Sequence, residues 1–165
     1  MTTLTVPSKP RAGRVRMSYA EYLALTDNGR RIEWVDGEAL FHAPPTVRHQ
    51  EVVGFLLVLL GGYVQQLKLG QVLFGLFEVK LWSDGPSREP DVLFIGHDRR
   101  AQLTDLRFEG GPNLVVEVIS SDTTTVDRVD KFREYERAGV REYWLIDPRP
   151  HQQQADFYVR DAEDL

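Results

Sequence analysis

Leu114-Val-Val-Glu-Val-Ile119 and Asp130-Lys-Phe-Arg-Glu-Tyr-Glu-Arg-Ala-Gly-Val-Arg-Glu-Tyr-Trp-Leu-Ile-Asp-Pro148 are the two stretches that decide the fold class. The first reads, from Asn113 to Ile119, as a strand apolar from Leu114 onward except at Glu117, the pattern of a strand covered on both faces. Ser120–Thr125 is rich in capping residues. A helix then runs from about Val126 to Ala138, and Gly139 supplies its C-terminal stop. Arg141–Asp147 returns to strand, and Pro148 and Pro150 end it. Strand, helix, strand in this order predicts a crossover between neighbouring strands, and so a mixed α/β domain.

Working upstream, Pro90-Asp-Val-Leu-Phe-Ile95 predicts a strand that stops at Gly96. Residues 97–113 read as a polar loop, Gln71–Trp82 as one strand, and Ser83–Arg88 as a turn. Thr46–Leu69 predicts a long helix, apolar on nearly every side in its middle and therefore buried against a sheet. Before it, Asp36-Gly37 between Arg31–Val35 and Glu38–His42 has the form of a two-residue hairpin turn. Ser18 and Glu21 have capping-box spacing, so a first helix starts there and Asn28-Gly29 ends it. Downstream, Ala155–Arg160 predicts a short last strand. Residues 1–16 read as a flexible basic arm and 17–165 as a single domain.

The composition excludes several chemistries. With 165 residues, 42% hydrophobic and 27% charged, the chain suits one domain with a real core. The absence of cysteine removes disulfides, thiolate zinc sites and a cysteine nucleophile. No Gly-rich phosphate loop, zincin histidine pair or Gly-X-Ser-X-Gly elbow is present. The most apolar run, Val52–Leu60, falls short of a membrane span, and Met1–Arg16 lacks the apolar core of a signal peptide. A cytoplasmic protein with no membrane partner and no organic cofactor is expected. The net charge of −5 does not attract nucleic acid as a whole. The arm, however, holds Lys9, Arg11, Arg14 and Arg16 without an acid. It reads either as a solvated tail or as a phosphate-contacting segment.

Asp91 and Glu117 are the residues that point to chemistry. A carboxylate inside a buried strand is costly unless something pairs with it. A divalent cation would serve, and so would a buried Arg or Lys. Two carboxylates on neighbouring strands are the oxygen donors that Mg²⁺ takes, with waters and phosphates completing its shell.

Pro90-Asp91 followed by Glu117-Val-Ile resembles the core of the PD-(D/E)XK nuclease superfamily. With Leu114–Ser121 and Asp130–Pro148 added, and the hairpin Ile32–Leu40, residues 18–158 look like the Uma-type restriction endonuclease family. The resemblance implies a restriction-endonuclease-like mixed β-sheet flanked by helices, with an N-terminal helix and β-hairpin. It implies metal-dependent hydrolysis of DNA with Mg²⁺ or Mn²⁺. Asp91, Glu117 and the backbone carbonyl of Val118 would be the metal ligands, and a homodimer would suit the cutting of two strands. The superfamily's lysine two residues after the glutamate is Ile119 here. The resemblance moves that role to Lys131, which shares a helix face with Arg128 and Tyr135. Lys131 also reads as a solvated surface residue. A catalytically inactive nucleic-acid-binding or protein-interaction module on the same fold is the alternative that the displaced lysine supports.

The family's early glutamate falls on Glu33, as a third carboxylate near the metals or an outward-facing strand residue. His49 reads as a phosphate or metal contact or as a helix-cap residue, and Arg128 and Tyr135 as further phosphate contacts. Glu78-Val-Lys80 is a literal Glu-X-Lys but precedes Asp91, so it reads as strand residues turned toward solvent.

Overall fold

The computed structural model describes residues 13–25, 29–120 and 129–160. Along the chain lie β1 (Gly13–Arg16), α1 (Tyr19–Leu23), β2 (Ile32–Val35), β3 (Glu38–Phe41), α2 (Val47–Leu67), β4 (Gly70–Phe74), β5 (Glu78–Lys80), β6 (Ser87–Arg88) and β7 (Val92–Gly96). A 3-10 turn (His97–Gln102), β8 (Arg107–Glu109), β9 (Leu114–Val118), α3 (Lys131–Ala138), β10 (Glu142–Asp147) and β11 (Gln154–Val159) complete it. The strands form two mixed sheets. One has the order β11-β10-β9-β7-β4, with β9 and β10 parallel. The other has the order β1-β3-β2-β6-β5-β8, with β5 and β8 parallel.

Local chemistry accounts for most boundaries. Ser18 caps α1 through a complete capping box with Glu21. Asp36 and Gly37 both have positive φ, at 49° and 82°, as the tight hairpin between β2 and β3 requires. Thr46 caps α2 by accepting the His49 N–H at 3.2 Å. α3 ends where Gly139 turns left-handed.

In the five-stranded sheet, side chains alternate between two cores. Val92, Leu114, Val116 and Val118 meet α2 on one face, through Val53, Leu56 and Leu60. Leu93, Ile95, Val115, Ile119, Tyr143 and Leu145 pack on the other face with Tyr135 of α3.

Several expectations need correction. The stretch 71–82 is not one strand. Leu76 takes a positive φ of 56°, and the chain turns there from one sheet into the other. Residues 97–113 contain a 3-10 turn and β8. Gly13–Arg16, at the end of the expected arm, is an edge strand paired with β3; residues 1–12 lie outside the described residues. The helix expected from Val126 is described from Lys131. α2 buries only the face bearing His49, Val53, Leu56, Leu60 and Val64, so it is a covering helix with its other side open. With 21 residues and a mean hydropathy of 1.2 over its most apolar window, α2 does reach the length and composition of a membrane span. The run Val52–Leu60 had understated it.

Candidate active site

The β7–β9 register places the two acidic residues. Val92 pairs with Val116 in an antiparallel ladder, so one step further Asp91 stands across from Glu117. Opposed residues share a face. By the period of two, that face is the one carrying Leu93, Val115 and Ile119, toward α3. α3 extends Lys131 and Tyr135 into it, both fully buried. β2, from the other sheet, contributes Glu33, and Arg31 precedes that strand.

One guanidinium joins the pair. Arg31 Nη1 lies 2.9 Å from Asp91 Oδ1 and Nη2 lies 2.9 Å from Glu117 Oε2. The second oxygen of each carboxylate is held separately. Asp91 Oδ2 accepts the Val118 N–H at 2.7 Å and lies 3.3 Å from His49 Nε2. Glu117 Oε1 accepts from Lys131 Nζ at 2.8 Å and from the Tyr135 hydroxyl at 2.7 Å. Lys131 Nζ also lies 3.0 Å from Glu33 Oε1. Glu33 is a hub. Arg88 Nη1 donates to its Oε2 at 2.9 Å, His42 Nε2 lies 3.1 Å from that oxygen, and the Glu89 N–H donates to Oε1 at 3.3 Å. Arg88 is in turn held by Glu134 through two hydrogen bonds, at 2.7 and 2.8 Å.

Burial works against the charge of these acids, and the cations overcome it. Burial raises the Asp91 carboxyl, yet Arg31, His49 and the Val118 N–H hold it below its ordinary value. Burial likewise opposes ionisation of Glu33, but Lys131, Arg88 and His42 keep it well below the usual carboxylate range. At Glu89, Arg31 and the Ile32 N–H pull the same way but are outweighed. Burial, then the charge of Glu33, push it up to about 8, so it holds a proton at neutral pH. Tyr135 is raised well above 10 by burial and by Glu117 and Glu33, and it stays a hydrogen-bond donor.

A cleft of about 640 Å³ opens onto Asp91. Asp91, His49, His42 and Val118 line it, with Arg14, Arg30 and Arg31 around them. Three arginines beside one carboxylate suit a phosphate that meets a metal. The donor set fits a hard divalent cation. Two opposed carboxylate oxygens already share one positive group, and that group, Arg31, retains 22% exposure in its side chain, on the cleft side. A cation would take its place only after Arg31 moves. Among the described residues no group of three or more His, Asp or Glu side chains forms a ready-made metal cluster.

The structure thus brings together Asp91, Glu117, Lys131, Glu33, His49, Tyr135 and Val118. Arg128 lies outside the described residues. Three placements differ from expectation. Lys131 is not a surface residue; its ammonium sits between two carboxylates. Tyr135 has no exposure and supports Glu117 instead of facing a phosphate. Glu78 and Lys80 do not turn to solvent. Both are buried: Glu78 accepts from Tyr19 and Ser87, and Lys80 donates to the Gly85 carbonyl and lies over the Tyr19 ring. Sequence reading missed Arg31, Arg88, His42, Glu89 and Glu134. Arg31 carried a signal, since it lies two residues before Glu33 and so on the same face of an extended chain. Glu134 carried none.

A family model described as "Uma2: Putative restriction endonuclease" matches residues 19–164. Among solved structures, a protein of Anabaena variabilis ATCC 29413 described as "a putative nuclease belonging to DUF820" is similar. Its TM-score is 0.66 at 17% identity, over 86% of this chain and 83% of that one. At this identity the likeness speaks for the fold. No curated protein matches the chain.

Proposed function

The chain belongs to the Uma2 family, and from that premise we propose that it is an endonuclease hydrolysing phosphodiester bonds of DNA with Mg²⁺ or Mn²⁺. The observation that carries this reading is the cross-strand pair Asp91 and Glu117 sharing one cation, Arg31, with Asp91 and Arg31 lining the cleft.

Asp91, Glu117 and the Val118 carbonyl would hold the metal. When bound, it supplies a lowered pKa for water and charge neutralisation at the phosphate. The remaining work falls to side chains. Arg31 leaves the carboxylates and donates to a non-bridging phosphate oxygen, which its planar fork fits. Lys131 and Tyr135 orient Glu117 from below. Glu33 anchors Lys131, and Arg88 and His42 keep Glu33 charged. His49 orients Asp91 through Nε2. The resemblance gave Lys131 the role of orienting the attacking water or binding a non-bridging phosphate oxygen. Burial of Lys131 moves that contact to Arg31. The setting consistent with this reading is a cytoplasmic enzyme.

A second reading has one observation behind it. Arg31, Lys131 and Arg88 already balance Asp91, Glu117 and Glu33, so the network is also complete as a structural one in an inactive DNA-binding module.

Plasmid relaxation with Mg²⁺ or Mn²⁺ separates the readings. The endonuclease reading expects metal-dependent nicking that Asp91→Asn abolishes while DNA binding persists. Cleavage that survives Asp91→Asn removes the site, and DNA binding without cleavage under any metal selects the module.

A further inference from the structure

Leu76 is held in a backbone conformation that suits glycine better than leucine. Its φ is 56°, in the left-handed region where a leucine is strained. Among the described residues the other non-glycine positions with positive φ are Asp36 in the β2–β3 hairpin, Lys68 at the C-terminus of α2 and His151 in the turn before β11. Those three are polar residues of turns or caps. Leu76 is apolar. The passage of the chain from one sheet to the other requires the left-handed turn, but glycine would make that turn without strain. The leucine side chain is not part of the core either. It is 57% exposed and belongs to none of the three buried clusters. Backbone strain that packing does not explain is found at functional positions.

The place of the turn ties that strain to the candidate active site. Gly75, just before Leu76, donates its backbone N–H to the Asp91 carbonyl at 3.1 Å. Phe74 pairs with Val92, so the turn stands at the end of the strand that Asp91 precedes. Leu76 lines the same cleft as Asp91, Arg30 and Arg31. A DNA strand whose phosphate reaches Asp91 therefore passes Leu76. Phosphates take charged and hydrogen-bonding groups, and leucine has neither. Its side chain fits the face of a base, and Pro44 and Pro45, exposed in the same cleft, extend the apolar surface. At about 640 Å³ the cleft is in the size range of pockets that enclose one small molecule. It has room for a nucleotide and not for a stacked duplex.

We propose that Leu76 is a wedge that parts a base step next to the scissile phosphate, so that the substrate strand enters the cleft unstacked. This rests on the endonuclease reading and adds to it the state in which the DNA is taken. Apolar side chains act in this way where proteins part stacked bases, and the cost is smallest for DNA that is already single-stranded. Arg30 and Arg31 hold the phosphates that flank the opened step.

The test uses the full chain, Mn²⁺ and one circular phage DNA in two forms, the single strand and the duplex of the same sequence. The wild type is expected to cut both, the single strand at least as fast. Leu76→Gly relieves the backbone and removes the wedge, so its Tm should equal or exceed that of the wild type while duplex nicking falls about tenfold. Leu76→Asn tolerates the same backbone and keeps the size, and it should fall equally. For both variants the loss on the single strand should be smaller by about threefold or more. Leu76→Met should regain most of the duplex activity. Equal duplex rates for wild type and Leu76→Gly overturn the inference. So does an equal loss on both forms, which would make Leu76 a residue that only shapes the site, or a wild type that spares the single strand. These three outcomes leave the endonuclease reading standing, whereas a wild type that cuts neither form removes that reading and the wedge with it.

Discussion

Lys131 and Glu117 lie 14 positions apart in the chain and 2.8 Å apart in space. Ile119, two residues beyond the glutamate on the same face, is 1% exposed and packs in the core against α3. The positive charge next to Glu117 thus arrives from the helix, and the strand position where the PD-(D/E)XK pattern has a lysine is spent on packing. Because Lys131 also touches Glu33, it joins two carboxylates that would otherwise repel one another in a site with little water.

Lys131→Met leaves those carboxylates buried without their shared cation. Breaking a buried pair by removing one partner costs about 3–5 kcal/mol, so Tm should fall by roughly 10 °C. Adding Glu33→Gln should deepen the loss, since Arg88 and His42 then lose the carboxylate they share. Thermal denaturation of the single and double variants measures this. Equal Tm for wild type and Lys131→Met would mean that the ammonium does not stabilise the site.

Asp91→Asn and Glu117→Gln keep the shape and remove the charge of the proposed metal ligands. Each should lower Mg²⁺-dependent nicking by about 100-fold or more, equivalent to roughly 2.7 kcal/mol of barrier. Both should also weaken Mn²⁺ binding, read by calorimetry. Unchanged Mn²⁺ affinity in both variants would place the metal elsewhere.

Arg31→Ala removes the guanidinium that now occupies the two acids. Mn²⁺ should then bind about tenfold more tightly, because the metal no longer displaces a competitor. Cleavage should nevertheless fall, as the phosphate loses its bidentate donor. Arg31→Lys should recover part of the activity. A loss of metal affinity in Arg31→Ala would contradict the competition.

Glu89 gives the protein a pH signature. Its carboxyl titrates near 8 when folded, against an ordinary value near 4.5. Below 4.5 both the folded and unfolded chains hold the proton and nothing is lost. As pH rises from there to 8, only the unfolded chain releases it, and stability declines by up to about 1.4 kcal/mol per pH unit. Glu89→Gln should flatten the fall in Tm between pH 5 and 8, with the largest gain over wild type at the alkaline end. Asp91 and Glu33, both lowered, act in a separate acidic window, where their contribution is lost as pH falls. Parallel Tm curves for wild type and Glu89→Gln would exclude a raised Glu89.

The sequence by itself determined what depends on neighbours along the chain. The capping box at Ser18, the Asp36-Gly37 hairpin, the Gly139 stop and the fully apolar β9 with its lone glutamate each express a dihedral preference or a burial pattern within a few residues. The need for a counter-charge at Glu117 was legible for the same reason, since a carboxylate inside such a strand must be paired. Tertiary structure decided which partners answered. Arg31, Lys131 and Arg88 reach Asp91, Glu117 and Glu33 only because two sheets and α3 converge at one point, and the left-handed turn at Leu76 is what lets residues 71–82 serve both sheets. A buried charge declares locally that it needs a partner. Which residue supplies it is a property of packing between segments far apart in the chain.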